Sequence, residues 1–239
     1  MIASIFESKC LIFLYFSVSL LCTKQTKKGE TGMSIIKNSI IRALWALTKD
    51  GYLKEEGWFR SYCSQSAVDA SGEPIPWINY PMQHFLTPRL PAHISILEFG
   101  SGNSTLYWAT KVKQVITVEH DSSWSNYIRS KFSGISNIQL LTAEANEKYE
   151  TAPVSLNKKF QLIIIDGIRR IECAHCAIEL LSEDGCILFD DTLFSEYKAV
   201  FEIMEKHGFK SLRISGAKPI QNDCSEATIF YRPNNILDI

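Results

Sequence analysis

The residues best suited to chemistry in this chain are carboxylates that close short apolar runs. Glu98 stands inside Ile94-Ser-Ile-Leu-Glu-Phe-Gly-Ser-Gly-Asn-Ser-Thr105, just ahead of Gly100 and Gly102. Glu119 ends Gln114-Val-Ile-Thr-Val-Glu119, Asp166 ends Phe160-Gln-Leu-Ile-Ile-Ile-Asp166, and Asp190-Asp191-Thr192 follows Cys186-Ile-Leu-Phe189. Carboxylates in such places can hold a cation, accept from hydroxyl groups or take up a proton. Three of them, Asp166, Asp190 and Asp191, are expected at one rim of a sheet, which is costly unless a cation or a shared proton sits among them.

The elements that must position these acids can be read from the same runs. Ile94, Ile96, Leu97 and Phe99 make a strand-length apolar segment, Gly100-Ser101-Gly102 a turn open to close approach by a ligand, and Leu106, Tyr107, Ala109 and Val112 a helix that Asn103 or Ser104 can cap. A strand, a glycine turn and a helix open a nucleotide-binding unit. A dinucleotide fingerprint places a third glycine where Thr105 stands, and Glu98 would repel a pyrophosphate. S-adenosylmethionine carries no phosphate. Its α-ammonium and sulfonium suit a carboxylate, since opposite charges at ~4 Å interact by about 4 kcal/mol at an effective dielectric of 20.

Glu98-Phe-Gly100-Ser-Gly102 resembles the E/D-x-G-x-G first motif of class I S-adenosylmethionine-dependent methyltransferases, and the resemblance runs from about Trp77 to Arg232. It implies an α/β, Rossmann-like three-layer sandwich with a mostly parallel seven-stranded sheet and a C-terminal antiparallel hairpin, formed here by 210–215 and 227–231. Glu98, Gly100, Ser101, Gly102, Asn103 and Ser104 then belong to the cofactor site. Glu119 lies 19 residues beyond Gly100, near the ~20 at which a strand-end acid meets ribose hydroxyls; His120 follows it. Glu144 stands where the family often places an adenine contact, and Tyr80 and Trp77 either line the cleft or pack beneath a loop.

Asp166 with Asp190-Asp191-Thr192 resembles the strand ends of metal-assisted O-methyltransferases of the caffeoyl-CoA and catechol type. Asp191 stands where those enzymes have asparagine, and no lysine follows Asp166 as a general base. Magnesium would accept these oxygens, but the departures place it behind direct proton uptake by Asp166 or Asp190. The expected activity is methyl transfer to an oxygen of a small acceptor. The rivals are a nicotinamide-dependent oxidoreductase and a non-catalytic, membrane-associated module with the same fold.

With 239 residues, 46% hydrophobic and 21% charged, and a net charge of -1, the chain can bury a full α/β core and shows no basic excess to recommend nucleic acid as a partner. Lys27-Lys28, Lys158-Lys159 and Arg169-Arg170 read as solvated pairs. Seven irregularly spaced cysteines argue against a disulfide framework. Cys173-Ala-His-Cys176 falls within a helix, where buried thiols are the expected reading rather than zinc or redox chemistry.

Three segments are expected: 1–32, an N-terminal extension; 33–76, a helical and turn-rich leader; and 77–239, the methyltransferase domain. The thirteen apolar residues Cys10–Cys22 are too few to span a bilayer, which needs ~20. Glu7 and the lack of small residues before Cys22 fit a signal peptide poorly, so a start at Met33 and a cytoplasmic enzyme are expected. Ile36, Ile40, Leu44 and Leu47 form a helical stripe that either packs on its own domain, the favoured reading, or, with residues 10–48 as a whole, meets a membrane surface. Oligomeric state and acceptor identity are not encoded legibly.

Overall fold

The computed structural model describes residues 31–239; the expectations for Cys10–Cys22, Lys27-Lys28 and a signal segment lie outside the described residues. The chain divides after Glu73. Among the described residues before that point are three helices: α1 (Thr31–Lys49), α2 (Tyr52–Glu55) and α3 (Trp58–Ser64). A turn follows in which Asp69 Oδ1 accepts from the backbone N–H groups of Ser71, Gly72 and Glu73 at 2.8, 2.8 and 2.9 Å. Of the apolar stripe on α1, Ile40, Leu44 and Leu47 are about half exposed. Periodicity makes a helix amphipathic without supplying a surface to cover it. Among the described residues, no helix is long and apolar enough to cross a membrane.

From Pro74 onward the chain builds an α/β unit around one sheet. Its strands are β1 (Ser95–Phe99), β2 (Gln114–Glu119), β3 (Ile138–Thr142), β4 (Phe160–Ile165), β5 (Leu181–Phe189), β6 (Lys210–Gly216) and β7 (Ser225–Tyr231). The spatial order is β3-β2-β1-β4-β5-β7-β6, parallel except for β7, which is antiparallel to both β5 and β6. This is the expected architecture.

The helices are α4 (Tyr80–Leu86), α5 (Asn103–Ala109), α6 (Ser122–Phe132), α7 (Glu147–Thr151), α8 (Arg170–Leu180) and α9 (Ala199–Lys206). Asn79 caps α4 by accepting from Met82 N–H at 2.9 Å, and Asp121 caps α6 by accepting from Trp124 N–H at 2.8 Å.

Two apolar layers explain the strand composition. Leu97, Phe99, Ile163, Ile165, Ile187 and Phe189 face one layer; Ile96, Leu162, Ile164, Cys186 and Leu188 face the other. Central parallel strands are buried on both faces, so their sequences are apolar without alternation. Each buried Leu, Ile or Val contributes roughly 1.5–3 kcal/mol relative to exposure. Edge strand β3, by contrast, is only half-buried.

Register puts the chemistry on one line. Phe99 pairs with Val118 and Ile165, and Ile165 pairs with Phe189. The residues that follow these positions, Gly100, Glu119, Asp166 and Asp190, therefore emerge along one rim of the sheet. The strand order reverses between β1 and β4, the switch point at which open α/β sheets bind ligands.

Several boundaries differ from expectation. Strand β5 begins at Leu181, directly where α8 ends, rather than at Cys186; its register against β4 shifts between Phe160 and Leu162, which absorbs the extra residues. Helix α5 stops at Ala109, so Val112 joins the core from the following turn. Cys173 and Cys176 lie in α8 as free thiols. Burial pushes the Cys173 thiol well up and that of Cys176 to about 11, leaving neither activated.

Candidate functional site

Glu98 is 1% exposed and lies beneath the glycine turn. Thr105 donates its hydroxyl to Glu98 Oε2 at 2.5 Å and accepts from the N–H of Gly102 at 3.1 Å. Gly102 therefore begins α5, with Thr105 reaching back to it; neither Asn103 nor Ser104 is the cap. The residue that breaks the dinucleotide pattern is the one that holds the motif acid in place. Burial raises the Glu98 carboxyl to about 8; Ser104 and Thr105 oppose the shift by hydrogen bonding, while Asp166 and Glu119 add to it.

Gly100 adopts φ +104°, and a Cβ there would lie 3.0 Å from the carbonyl oxygen of Asp166. Only glycine meets both conditions cheaply. The opposing chain is equally tight, since a Cβ on Gly167 would stand 2.1 Å from the Tyr149 hydroxyl and 3.0 Å from both Gly100 N and Phe99 O. Gly167→Ala is accordingly expected to cost about 1–3 kcal/mol by overpacking, measurable as a lower denaturation midpoint with an unchanged m-value. A midpoint equal to wild type would mean that the β1 and β4 loops are not in contact.

Glu119 is 5% exposed at the end of β2. Its Oε1 accepts from the N–H groups of His120 and Asp121 at 2.8 and 2.9 Å and lies 3.1 Å from His120 Nδ1, while Oε2 accepts from the Ser101 hydroxyl at 2.7 Å. The carboxylate is thus fixed in direction, and the glycine turn is tied to β2. Trp124, which the sequence did not single out, donates its indole N–H to Ser101 O at 2.8 Å and adds a second tie from α6.

Beside Glu119 a groove of about 680 Å³ opens at the ends of β2 and β3, with His120, Asn126, Arg129, Thr142, Ala143 and Glu144 among its lining. Its size is that of a small-molecule site. The Glu144 carboxylate is drawn to Lys148 at 3.0 Å and Asn146 at 2.9 Å, so this residue borders the groove while its charge is engaged locally. Tyr80 is fully buried at the start of α4, where its backbone N–H donates to Ala217 O at 2.9 Å. Trp77 is more than 40% exposed.

The third group is the acid cluster. Asp166, Asp190 and Asp191 offer oxygens that all lie within 4.8 Å of one another. The sequence placed these three at one rim but missed the cations among them. Arg170 donates to Asp166 Oδ1 at 3.1 Å, Asp191 Oδ2 at 3.4 Å and the carbonyls of Gly167 and Asp190 at 2.9 and 2.8 Å. Lys218 donates to Asp191 Oδ1 at 2.7 Å and lies 3.6 Å from Asp190 Oδ2.

The expected solvated Arg169-Arg170 pair is therefore wrong for Arg170, while Arg169 stays partly exposed. Arg170 is 12% exposed in the cluster, and Arg169 makes a two-pronged bond to Glu150, with 2.8 Å on each arm. The available signal was spacing, since Asp166 and Arg170 are four residues apart across a helix start. Burial raises the Asp166 carboxyl to about 6 against the pull of Arg170, and burial together with Asp166 raises Asp190 well above the carboxylate range. Burial alone would depress Lys218, but Asp190 and Asp191 hold its ammonium above the ordinary value. Neither Asp190 oxygen has a hydrogen-bond partner, and the residue is fully buried.

No protein-family model matches the sequence. A search of curated proteins finds no relative. Solved structures do match by shape. A protein described as a candidate caffeoyl-CoA O-methyltransferase from Staphylococcus aureus superposes with a TM-score of 0.53 at 14% identity, covering 80% of this chain and 98% of that one. An rRNA methylase from Streptococcus thermophilus gives 0.51 at 16% identity over 64% and 95% of the two chains. A precorrin 8w decarboxylase from Methanobacterium thermoautotrophicum gives 0.51 at 14% over 70% and 97%. The strand order, the glycine turn at the switch point and these likenesses together show that residues 74–239 have the Rossmann-like fold of class I S-adenosylmethionine-dependent methyltransferases.

Proposed function

We propose that the chain is an S-adenosylmethionine-dependent methyltransferase acting at an oxygen of a small acceptor. The observation that carries this is a buried carboxyl, Glu98, held by Thr105 under an open glycine turn, with Glu119, Asp166 and Asp190 following the register-paired strand ends beside that turn. Such a row suits a cationic ligand and rejects a pyrophosphate. The residues fit the cofactor at two further points: nothing lies within 4 Å of where a Gly102 Cβ would stand, and the Glu119 carboxylate is held by backbone donors with its Ser101 partner on a rotatable hydroxyl.

When bound, the cofactor supplies an electrophilic methyl group on a sulfonium. Glu98, whose carboxyl burial raises to about 8, would give up its proton beneath the cationic methionine end, and Glu119 would accept from the ribose hydroxyls once Ser101 turned away. The Gly100 and Gly102 backbone would let the ligand approach closely, and the groove lined by His120 and Ala143, with Glu144 at its border, would hold the adenine side. Asp190 or Asp166 would take up the acceptor's hydroxyl proton as the O–CH3 bond formed and the S–CH3 bond broke, its electron pair returning to sulfur to leave S-adenosylhomocysteine. Burial raises the proton affinity of both carboxyls, Asp166 to about 6 and Asp190 well above the carboxylate range, so each binds a proton more strongly than a solvated aspartate. Arg170 fixes Asp166 and Asp191 in place.

Calorimetric titration of the full chain with S-adenosylmethionine, S-adenosylhomocysteine and NAD tests the cofactor assignment. Saturable binding of both sulfur ligands and none of NAD is expected. Tight NAD binding with neither sulfur ligand bound would overturn it.

A further inference from the structure

The strand-end acids resemble a magnesium site, yet the residues around them do not fit a divalent ion, because the cationic position is already filled. Lys218 is nearly buried, with its side chain 6% exposed, and its ammonium reaches both Asp190 and Asp191. Arg170 closes the cluster from the Asp166 side. A divalent ion placed between Asp190 and Asp191 would have to displace one ammonium held by two carboxylates and sit beside a guanidinium.

The backbone is organised to keep Lys218 there. Tyr80 N–H holds the carbonyl of Ala217, and Asn79 Nδ2 donates to Ile214 O at 3.0 Å. Gly216 meets Pro81 so closely that a Cβ would lie 2.6 Å from its ring. Helix α4 thus clamps the strand end from which Lys218 projects. On the other side Asp191 takes the left-handed conformation, φ +63°, and its Oδ1 accepts from both Lys218 and, at 3.4 Å, the Ser225 hydroxyl. A non-glycine residue in that region is uncommon and persists where its surroundings fix it. Asp190, with two buried oxygens lacking any hydrogen bond, balances its charge only through the ammonium 3.6 Å away and the nearby guanidinium.

We propose that Lys218 is a built-in counter-cation that takes the place of a divalent metal among Asp166, Asp190 and Asp191, making the site metal-independent, and that neutralising Lys218 uncovers a divalent-cation site. The two cations leave one carboxylate uncompensated, which is the group available to take the acceptor's proton. Lys218 is here a positioning residue: it sets the charge and direction of Asp190 and Asp191. The proposal concerns the same site as the methyl-transfer reading, but its test uses metal alone, so either can fail without the other.

The test titrates MnCl2 into wild type, Lys218→Met and Lys218→Arg, with free Mn²⁺ read by electron paramagnetic resonance and unfolding followed with and without MgCl2. Wild type and Lys218→Arg are expected to show no saturable Mn²⁺ binding, and neither Mg²⁺ nor a chelator should move their Tm. Lys218→Met is expected to bind one Mn²⁺ at least about tenfold more tightly than wild type, because removing a like charge from the ion's position favours the ion by that much or more, and Mg²⁺ should raise its Tm. If Lys218→Met does not fold in metal-free buffer, folding restored by MnCl2 supports the proposal. Saturable Mn²⁺ binding by wild type, a folded Lys218→Met that gains none, or an unfolded one that MnCl2 fails to rescue each overturns it.

Discussion

Glu98→Gln is expected to make the protein more stable while weakening its hold on the cofactor. The carboxyl is 1% exposed, and its pKa is raised from 4.5 to about 8 by burial first. A group whose folded pKa lies above its unfolded one contributes stability in full below the unfolded value and loses it as pH rises towards the folded value. At pH 4 the folded and unfolded chains both carry the proton. Between about pH 4.5 and 8 the unfolded chain ionises first, so wild type is progressively destabilised, by an upper bound of roughly 3 kcal/mol at pH 7.

Glutamine does not titrate, and it can still accept the Thr105 hydroxyl. Its new amide donors need partners, which offsets part of the gain and leaves roughly 1–3 kcal/mol. For a chain of this length that raises Tm by about 2–10 °C at pH 7, with the difference vanishing near pH 4. Replacing the carboxylate under a cationic ligand by an amide should weaken S-adenosylmethionine binding roughly 10- to 100-fold. Calorimetry and thermal melts across that pH range check both halves together. Unchanged cofactor affinity would remove Glu98 from the site, and an unchanged Tm would mean that the carboxylate is better solvated than its surroundings imply.

The opposing signs of those two effects bear on what a sequence discloses. Glu98, Glu119, Asp166 and Asp190 were legible because each follows or ends a run whose burial is fixed by local composition. Once those runs pair in register, the acids have nowhere else to emerge. A mostly parallel seven-stranded sheet with a C-terminal antiparallel hairpin was implied by the family resemblance; the order β3-β2-β1-β4-β5-β7-β6 came from the structure. Arg170 and Lys218 were not legible. An arginine after an arginine, and a lysine between Ala217 and Pro219 in a turn, look the same whether solvated or buried; their destinations are set by pairing across about 20 to 28 positions of chain.

Thr105 was visible as a departure from the dinucleotide pattern, but its role as the ligand of Glu98 required the geometry of the turn. The stripe on α1 was legible only as a stripe. Its periodicity was real, yet periodicity specifies only that one face is apolar and does not name what covers it.

Removing the guanidinium of Arg170 should be the most damaging single change in the acid cluster. That side chain is 12% exposed and makes four polar contacts, two to carboxylates and two to carbonyls that otherwise end the β4 and β5 turns. Arg170→Met keeps the length of the stem and leaves Asp166 and Asp191 facing one another with only Lys218 for compensation. Breaking a buried ion pair on one side costs about 3–5 kcal/mol; here the site's partial exposure argues for the lower end, a Tm fall of roughly 6–12 °C.

The sign with pH follows from Asp166, whose carboxyl already sits at about 6 because burial outweighs the pull of Arg170. Without that pull it holds its proton to still higher pH. A protonated Asp166 needs no counterion, so the variant should approach wild type below pH 6 and fall furthest behind it above pH 8. Methyl transfer, if Asp166 or Asp190 accepts the proton, should show its acidic limb displaced towards higher pH. Arg170→Lys retains the charge but cannot span two carboxylates and two carbonyls with one ammonium, so it should recover the pH profile more fully than the stability. Denaturant midpoints and initial rates collected from pH 5 to 9 for the three proteins separate these effects. A stability loss independent of pH would show that Arg170 acts through packing and its carbonyl contacts, and that the carboxylates are compensated by other means.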